Sequence, residues 1–292
     1  MTFFTRFWGT RGSIPTPGHS TRRYGGNTSC VEIRIDGALF ICDGGTGMRE
    51  LGDALLRRGD EPVDAHLLFS HTHWDHIQGF PFFVPAYRPT TTLRVYDVAR
   101  DDDRAHRLLM GQMRSEYFPV SFSDLGSRIV PSNLEGGHTT IEGVTVRALE
   151  QVHPGRSFAY SFTKGASKVV YATDSELDRI VSNRDDIVAR PASLRRLPST
   201  LVDFASGADL LIADAQYNDD DYRDGWGHAR AHTVVDLALQ AGTKQLALFH
   251  HDPTQTDADV EAKVERATAR ARAAGSALIV FGAREGVELK IG

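Results

Sequence analysis

Apolar side chains along this chain gather in short runs, some alternating with polar neighbours and some continuous, and glycine punctuates the gaps between them. In the first third, residues 3–8, 31–35, 38–42 and 65–69 carry this pattern and predict strands. Between them the period changes. Met48, Leu51, Leu55 and Leu56 recur at helical spacing, so residues 47–58 predict an amphipathic helix packed on a sheet. Later strands are predicted at 144–152, 158–163, 168–172, 210–213 and 245–249, with helices at 103–117, 233–241 and 257–274. Strand groups with interspersed helices predict a chain of mixed α and β structure.

Directly after the run at 65–69 comes Ser70-His71-Thr72-His73-Trp74-Asp75-His76, which concentrates three imidazoles and a carboxylate in one tight loop. Zinc accepts imidazole nitrogen and carboxylate oxygen at about 2.0–2.2 Å, and a catalytic site keeps one position open for water. His71 and His73, two positions apart, can face one ion while Thr72 turns away. Asp75 and His76 are then left for a second ion. No cysteine lies in this block, which disfavours a closed structural finger. One loop cannot complete two coordination spheres, so the rest of the chain must contribute. His153, Asp174 and His250 each follow a predicted strand, where buried strands deliver functional groups to a rim.

These blocks resemble the metallo-β-lactamase superfamily, in order and over nearly the whole chain. The motifs are Asp43 in Cys42-Asp43-Gly44-Gly45-Thr46-Gly47, the His-x-His-x-Asp-His block, then His153, Asp174 and His250. The resemblance implies a four-layer αββα sandwich. It also implies that His71, His73 and His153 hold one metal and Asp75, His76 and His250 the other, with Asp174 bridging. Asp43 would orient the loop without ligating.

The stretches Gly9-Thr10-Arg11-Gly12-Ser13-Ile14-Pro15 and Tyr24-Gly25-Gly26-Asn27-Thr28-Ser29-Cys30 are similar to the phosphodiesterase branch. That branch includes ribonuclease Z, the cyclic phosphate dihydrolase of phosphonate breakdown and class II cyclic nucleotide phosphodiesterases. Flavodiiron oxidoreductases resemble the pattern too but carry Glu where this chain has His73, and many true β-lactamases use Cys where it has Asp174. His228, in Gly227-His228, is similar to the extra histidine of the phosphodiesterase branch that sits near the scissile phosphate. The branch usually places Ser or Thr soon after it, whereas Ala229-Arg230-Ala231-His232-Thr233 follows here, so His232 is a rival for the role. Of the neighbours His250 and His251, the family pattern selects His250, and His251 is expected behind the ligands or at the surface.

The resemblance therefore implies a hydrolase with two divalent cations, zinc first, with manganese or iron as alternatives. A metal-held hydroxide would attack a small phosphodiester such as a cyclic nucleotide or cyclic phosphate, with Asp75 and His228 as catalytic residues. A ribonuclease Z-like RNA endonuclease, a lactone or thioester hydrolase and a non-enzymatic metal-dependent sensor are the alternatives.

Composition narrows this picture in a few places. With 292 residues and 41% hydrophobic content the chain can bury a sizeable core. Ligands running from His71 to His250 must converge, so a single domain over 1–292 is expected. A net charge of −5 gives no strong attraction to nucleic acid. No Gly-Pro-rich arm like that of bacterial ribonuclease Z separates Asp174 from His228, and both features rank large RNA below a small diester as partner. Cys30 and Cys42 lie in strand-like runs, and free buried thiols are expected, with a disulfide between neighbouring strands as the alternative.

The first residues lack the basic and apolar pattern of an export signal, and no run reaches transmembrane length, so a cytoplasmic protein without membrane contact is expected. A homodimer is carried from the resemblance alone. Two segments could shape the substrate. Residues 80–135, with Met110 and Met113, read as an apolar lid, a dimer surface or ordinary core. Residues 178–200, with Arg179, Arg184, Arg190, Arg195 and Arg196 among Asp178, Asp185 and Asp186, read as a phosphate-facing or a solvated segment.

Overall fold

A computed structural model describes residues 1–59, 61–98, 104–134, 137–190 and 192–292. Six strands follow one another in the first part of the chain: β1 (Phe3–Gly9), β2 (Cys30–Ile35), β3 (Ala38–Cys42), β4 (Val63–Leu68), β5 (Thr91–Asp97) and β6 (Arg128–Asn133). The next seven are β7 (His138–Ile141), β8 (Val144–Gln151), β9 (Ser157–Lys164), β10 (Ser167–Ala172), β11 (Leu210–Asp214), β12 (Gln245–Phe249) and β13 (Ile279–Gly282), and β14 (Glu288–Lys290) comes last. One sheet has the order β14-β1-β2-β3-β4-β5-β6 and the other β13-β12-β11-β10-β9-β8-β7. The helices are α1 (Gly47–Leu56), α2 (Trp74–Ile77), α3 (Arg104–Gln112), α4 (Arg184–Ala189), α5 (Ser199–Ala205), α6 (Ala231–Ala241) and α7 (Asp257–Ala273).

Successive residues along each strand serve different layers, because side chains alternate across a sheet. Val31, Ile33, Phe40 and Cys42 of the first sheet meet Tyr160, Phe162, Val169 and Tyr171 of the second in the core between the sheets. Cys30, Leu39 and Ile41 point the other way, onto Met48, Leu51 and Leu55 of α1. On the far face of the second sheet, Val170, Leu211, Leu246 and Leu248 are covered by Leu201, Val234 and Ala267 of α5, α6 and α7. Three apolar layers between four layers of structure make the predicted αββα sandwich. Each predicted strand is present within a few residues.

The same alternation decides the cysteines. Cys42 lies opposite Val31 across the β2–β3 pair, so Cys30, the next residue along β2, faces the other core. Both thiols are buried and free, and the disulfide alternative is excluded. The predicted helix at 103–117 is shorter, Arg104–Gln112, and its predicted first residue, 103, lies outside the described residues. After it the chain turns, with the amides of Tyr117 and Phe118 bonded to Arg114 O and Phe118 packed edge-on to Phe82. Residues 80–135 divide between core and surface: Phe80, Phe83, Leu109 and Met113 are buried, whereas Phe82, Met110 and Tyr117 are exposed. In the arginine-rich segment, Arg195 is buried against Asp219, Arg179 lies beside Glu176 and Asp224, and Arg190 pairs with Asp186. Among the described residues no helix is long and apolar enough to cross a membrane.

The N-terminal segment is clasped by residues far along the chain. Arg11 is fully buried, and its Nη1 donates to the carbonyls of Asp252 and Gln255 at 3.0 and 2.8 Å. Strand β14 pairs with β1. Behind this clasp Lys263 of α7 is also fully buried, donating to Ala215 O, Gln216 O and Gln255 Oε1 at 2.7, 3.3 and 2.8 Å. Burial pushes its pKa down to about 7, yet three acceptors match the three N–H groups of the ammonium. Lys263→Met leaves those carbonyls without this donor and is expected to cost about 3 kcal/mol of stability. The check is the urea midpoint at unchanged slope. A wild-type midpoint would show that the 215–216 loop stands without this support.

Candidate metal centre

Parallel strands bring their C-terminal ends to one rim, the place where such sheets collect ligands. β3 and β4 run parallel in the first sheet and β10, β11 and β12 in the second. β8 and β10 both run antiparallel to β9 and so share a direction. From these ends come Asp43 after β3, the 70–76 loop after β4, His153 beyond β8, Asp174 beyond β10, Asp214 at the end of β11 and His250 after β12. Asp43, Asp174 and His250 turn the chain there with left-handed φ of 60°, 51° and 57°, and Ser13 at the same cleft has 63°. Each such non-glycine residue costs about 1–3 kcal/mol and persists because its bonds hold it.

All seven side chains expected as ligands come together. The donor atoms of His71, His73 and His153 lie within 4.8 Å of one another, and so do those of Asp75, His76, Asp174 and His250. Asp174 stands between the groups. Its Oδ1 is 3.3 Å from Nε2 of both His76 and His250, while its Oδ2 is 3.6 Å from His71 Nε2 and 3.9 Å from His153 Nε2. Asp75 Oδ2 is 3.2 Å from His76 Nε2 and 3.1 Å from His250 Nε2. The Nε2 atoms of His71 and His76 are buried without a hydrogen-bond partner, and the Asp174 oxygen beside His71 Nε2 lies beyond bonding distance at 3.6 Å. Buried nitrogens left unsatisfied among carboxylates are what a pair of cations would satisfy, so the donor set fits two metal ions.

The outer nitrogens of these rings are anchored. His76 Nδ1 bonds Asp43 Oδ2 at 2.8 Å, His153 Nδ1 bonds Gly227 O at 2.9 Å and His250 Nδ1 bonds Gln216 Oε1 at 3.1 Å. These bonds set the tautomers and aim Nε2 inward. His73 is the exception and turns Nδ1 toward His153 Nε2, 3.3 Å away. Asp43 does more than hold His76. It also accepts from Ser70 N, Ser70 Oγ and Tyr171 OH at 2.7, 2.7 and 2.6 Å. Two glycines make room: a Cβ on Gly12 would come within 2.4 Å of His250 Nδ1, and one on Gly227, at φ +86°, within 2.3 Å of His153 Nδ1.

Burial lowers the pKa of His71 and His153, keeping the lone pairs a cation needs. For Asp75 and Asp174 burial works to raise the pKa, but the surrounding imidazoles win and hold both well below the usual carboxylate range. His228 lines the same cleft as Asp75 and Asp174, its ring stacked on His250 at 4.8 Å. Its Nδ1 is 2.9 Å from Asp214 Oδ2. Burial opposes its protonation, yet the charge and hydrogen bond of Asp214, with Asp174 and Asp75 nearby, lift its pKa to about 9. Cations bound beside it would draw that value down.

Asp214 is the residue that sequence reasoning missed. Its signal was the one that identified Asp174, a carboxylate at the end of an apolar strand, but it falls outside the motifs that carry the resemblance. His232, the rival of His228, bonds Asp219 and lines a separate groove of about 690 Å³ together with Arg270, which Asp236 holds. The cleft of the cluster itself measures about 480 Å³.

His251 is not at the surface. It is fully buried, its Nε2 donates to Ala283 O at 2.8 Å, and its backbone pairs with Thr10 and Gly12. His250→Ala is therefore expected to lose one bound metal, whereas His251→Ala keeps both and loses about 1–3 kcal/mol of stability. Metal stoichiometry on the purified variants separates the two, and the reverse pattern would exchange their roles.

Known proteins match this architecture. The family described as the β-lactamase superfamily domain matches residues 39–251. A ribonuclease Z of Brevibacillus brevis is 32% identical, with 91% of this chain and 90% of the relative covered. The metallo-β-lactamase fold protein YhfI of Bacillus subtilis superposes with a TM-score of 0.68 at 18% identity, covering 99% of this chain and 98% of its own. A diphosphatase of the PhnP family superposes with a TM-score of 0.65 at 15% identity, covering 98% and 97%. A family match over most of the chain and a relative this similar along its whole length agree, and the chain belongs to the metallo-β-lactamase superfamily, among the metal-dependent hydrolases of its phosphodiesterase branch.

Proposed function

We propose that the protein is a dinuclear phosphodiesterase acting on a small phosphodiester, a cyclic nucleotide or cyclic phosphate. The observation that carries this reading is the Asp174 carboxylate, with one oxygen turned to His76 and His250 and the other to His71 and His153. His71, His73 and His153 would hold one cation and Asp75, His76 and His250 the other, with Asp174 shared. Bound there, two divalent cations supply an activated water and neutralise charge on the phosphate oxygens.

The remaining work falls to the chain. A departing alkoxide needs a proton, and His228 can give one from Nε2 because Asp214 occupies Nδ1 and keeps the ring oriented and protonated. Asp75 is steadied by the Ser13 amide, which donates to its Oδ2 at 2.8 Å. A cleft of about 480 Å³ suits a ligand of nucleotide size. A net charge of −5 supplies no broad attraction for a long polyanion.

A second reading, cleavage of RNA, is favoured by the ribonuclease Z of Brevibacillus brevis at 32% identity. Carbon esters are attacked by the same kind of centre, but the His228–Asp214 pair favours phosphorus, where the leaving oxygen is the harder problem. The test is hydrolysis of bis(p-nitrophenyl) phosphate. Zinc-loaded protein is expected to cleave it, chelator-stripped protein is expected not to, and restored zinc to bring activity back. No cleavage by loaded protein would move the assignment to lactones, thioesters or a binding role.

A further inference from the structure

The mouth of the cleft carries more apolar surface than a phosphate requires. Trp74 stands between His73 and Asp75 and lines the cleft, yet it is 64% exposed. Trp226, two residues before His228, is 60% exposed. Ile14 beside Ser13 and Val152 beside His153 are also exposed. Of these four, only Trp74 lines the cleft itself; the others are neighbours in sequence of residues at the site. Scattered surface residues need no explanation, but an exposed indole on the wall of a cleft offers a flat apolar face to a ligand there.

The two indoles are held in position. Trp74 opens α2, fixed between two residues of the cluster. The loop of Trp226 is pinned by the buried Glu176 carboxylate, which accepts from Tyr222 OH and from the amides of Gly225 and Gly227. One face of Trp226 has the Arg223 guanidinium 4.9 Å from its ring centroid. Among the described residues no aromatic ring or guanidinium packs on Trp74, which stays largely exposed where it lines the cleft.

We infer that the substrate carries a nucleobase next to its scissile phosphate and that Trp74 stacks on that base. This rests on the phosphodiesterase reading. A net charge of −5 supplies no broad attraction for a phosphodiester, and stacking supplies affinity that is indifferent to charge and tolerant of base identity. The base can belong to a cyclic mononucleotide or to the 3′ end of an RNA; the recognition is the same.

Binding can be read without turnover by isothermal titration calorimetry, which does not depend on the indole being replaced. Zinc-loaded protein is titrated with adenosine 5′-monophosphate and with ribose 5-phosphate. The wild type is expected to prefer the nucleotide by about tenfold or more. Trp74→Ala should lose most of that preference and Trp74→Phe should keep part of it, while Trp226→Phe should leave it unchanged. Equal binding of both ligands by the wild type, or an undiminished preference in Trp74→Ala, overturns the inference. A wild type that cleaves bis(p-nitrophenyl) phosphate without preferring the nucleotide removes the stacking alone. Nucleotide preference without cleavage removes the hydrolytic reading alone. The source of the base follows from kcat/KM of Trp74→Ala on 3′,5′-cyclic AMP and on a 3′-extended RNA hairpin. The true substrate class loses about tenfold, and a variant that loses nothing on either overturns the role of Trp74.

Discussion

His228→Ala is expected to lower kcat by about 10²–10⁴-fold on a diester whose leaving group is an alkoxide, and by much less on bis(p-nitrophenyl) phosphate. The difference follows from what the imidazole does. A p-nitrophenolate leaves without a proton, whereas the ribose oxygen of 3′,5′-cyclic AMP departs as a strong base unless protonated. Asp214→Asn should fall between wild type and His228→Ala, because the amide can still bond Nδ1 but no longer supports the charge on the ring. Steady-state kinetics on the two substrates with the three proteins is the measurement. An equal loss on both substrates would mean that His228 positions the phosphate instead of donating a proton.

Replacing Asp43 is expected to have the largest effect on stability and metal affinity of any change outside the ligands themselves. Four donors converge on its buried carboxylate, Ser70 N, Ser70 Oγ, His76 Nδ1 and Tyr171 OH. Asp43→Ala strands all four and is expected to cost about 3–5 kcal/mol. Asp43→Asn tests the charge by itself, since asparagine also tolerates the left-handed φ of 60° found here. It should fold but bind metal about 10–100-fold more weakly, because His76 loses its anionic partner. Metal titration paired with urea denaturation reads both effects. Wild-type metal affinity in Asp43→Asn would reduce Asp43 to a structural residue.

The strand exits and the ligand types were legible because both are local. Apolar runs fix where strands end, and His71, His73, Asp75 and His76 are contiguous. His228 was legible only through the family pattern, and its partner Asp214 was hidden because fourteen residues of chain separate a pair joined by a single hydrogen bond. Which of the two places expected for His251 it takes, behind the ligands and not at the surface, was hidden for a related reason: its partners, Ala283, Thr10 and Gly12, are distant in sequence. Strands β5, β6, β7, β13 and β14 were not predicted, although Leu93-Arg94-Val95-Tyr96 in β5 and Leu278-Ile279-Val280-Phe281 at β13 carry a strand pattern. They are edge strands or lie next to one, some of them short, and β6 contains Pro131, which edges tolerate.

The clasp of Arg11 on the carbonyls of Asp252 and Gln255 bears on how the protein is made. A nascent chain releases residues 1–13 from the ribosome long before residues 250–255. Until then the wall that carries Ser13 can reach Asp75 but lacks the carbonyls that Arg11 grips, and β1 can pair with β2 while the edge that β14 will occupy stays open. Closures between such distant segments are slow, and an open edge invites foreign strands. Assembly of the cleft and the final closing of the fold are therefore one event, and no partly synthesised chain carries a finished site.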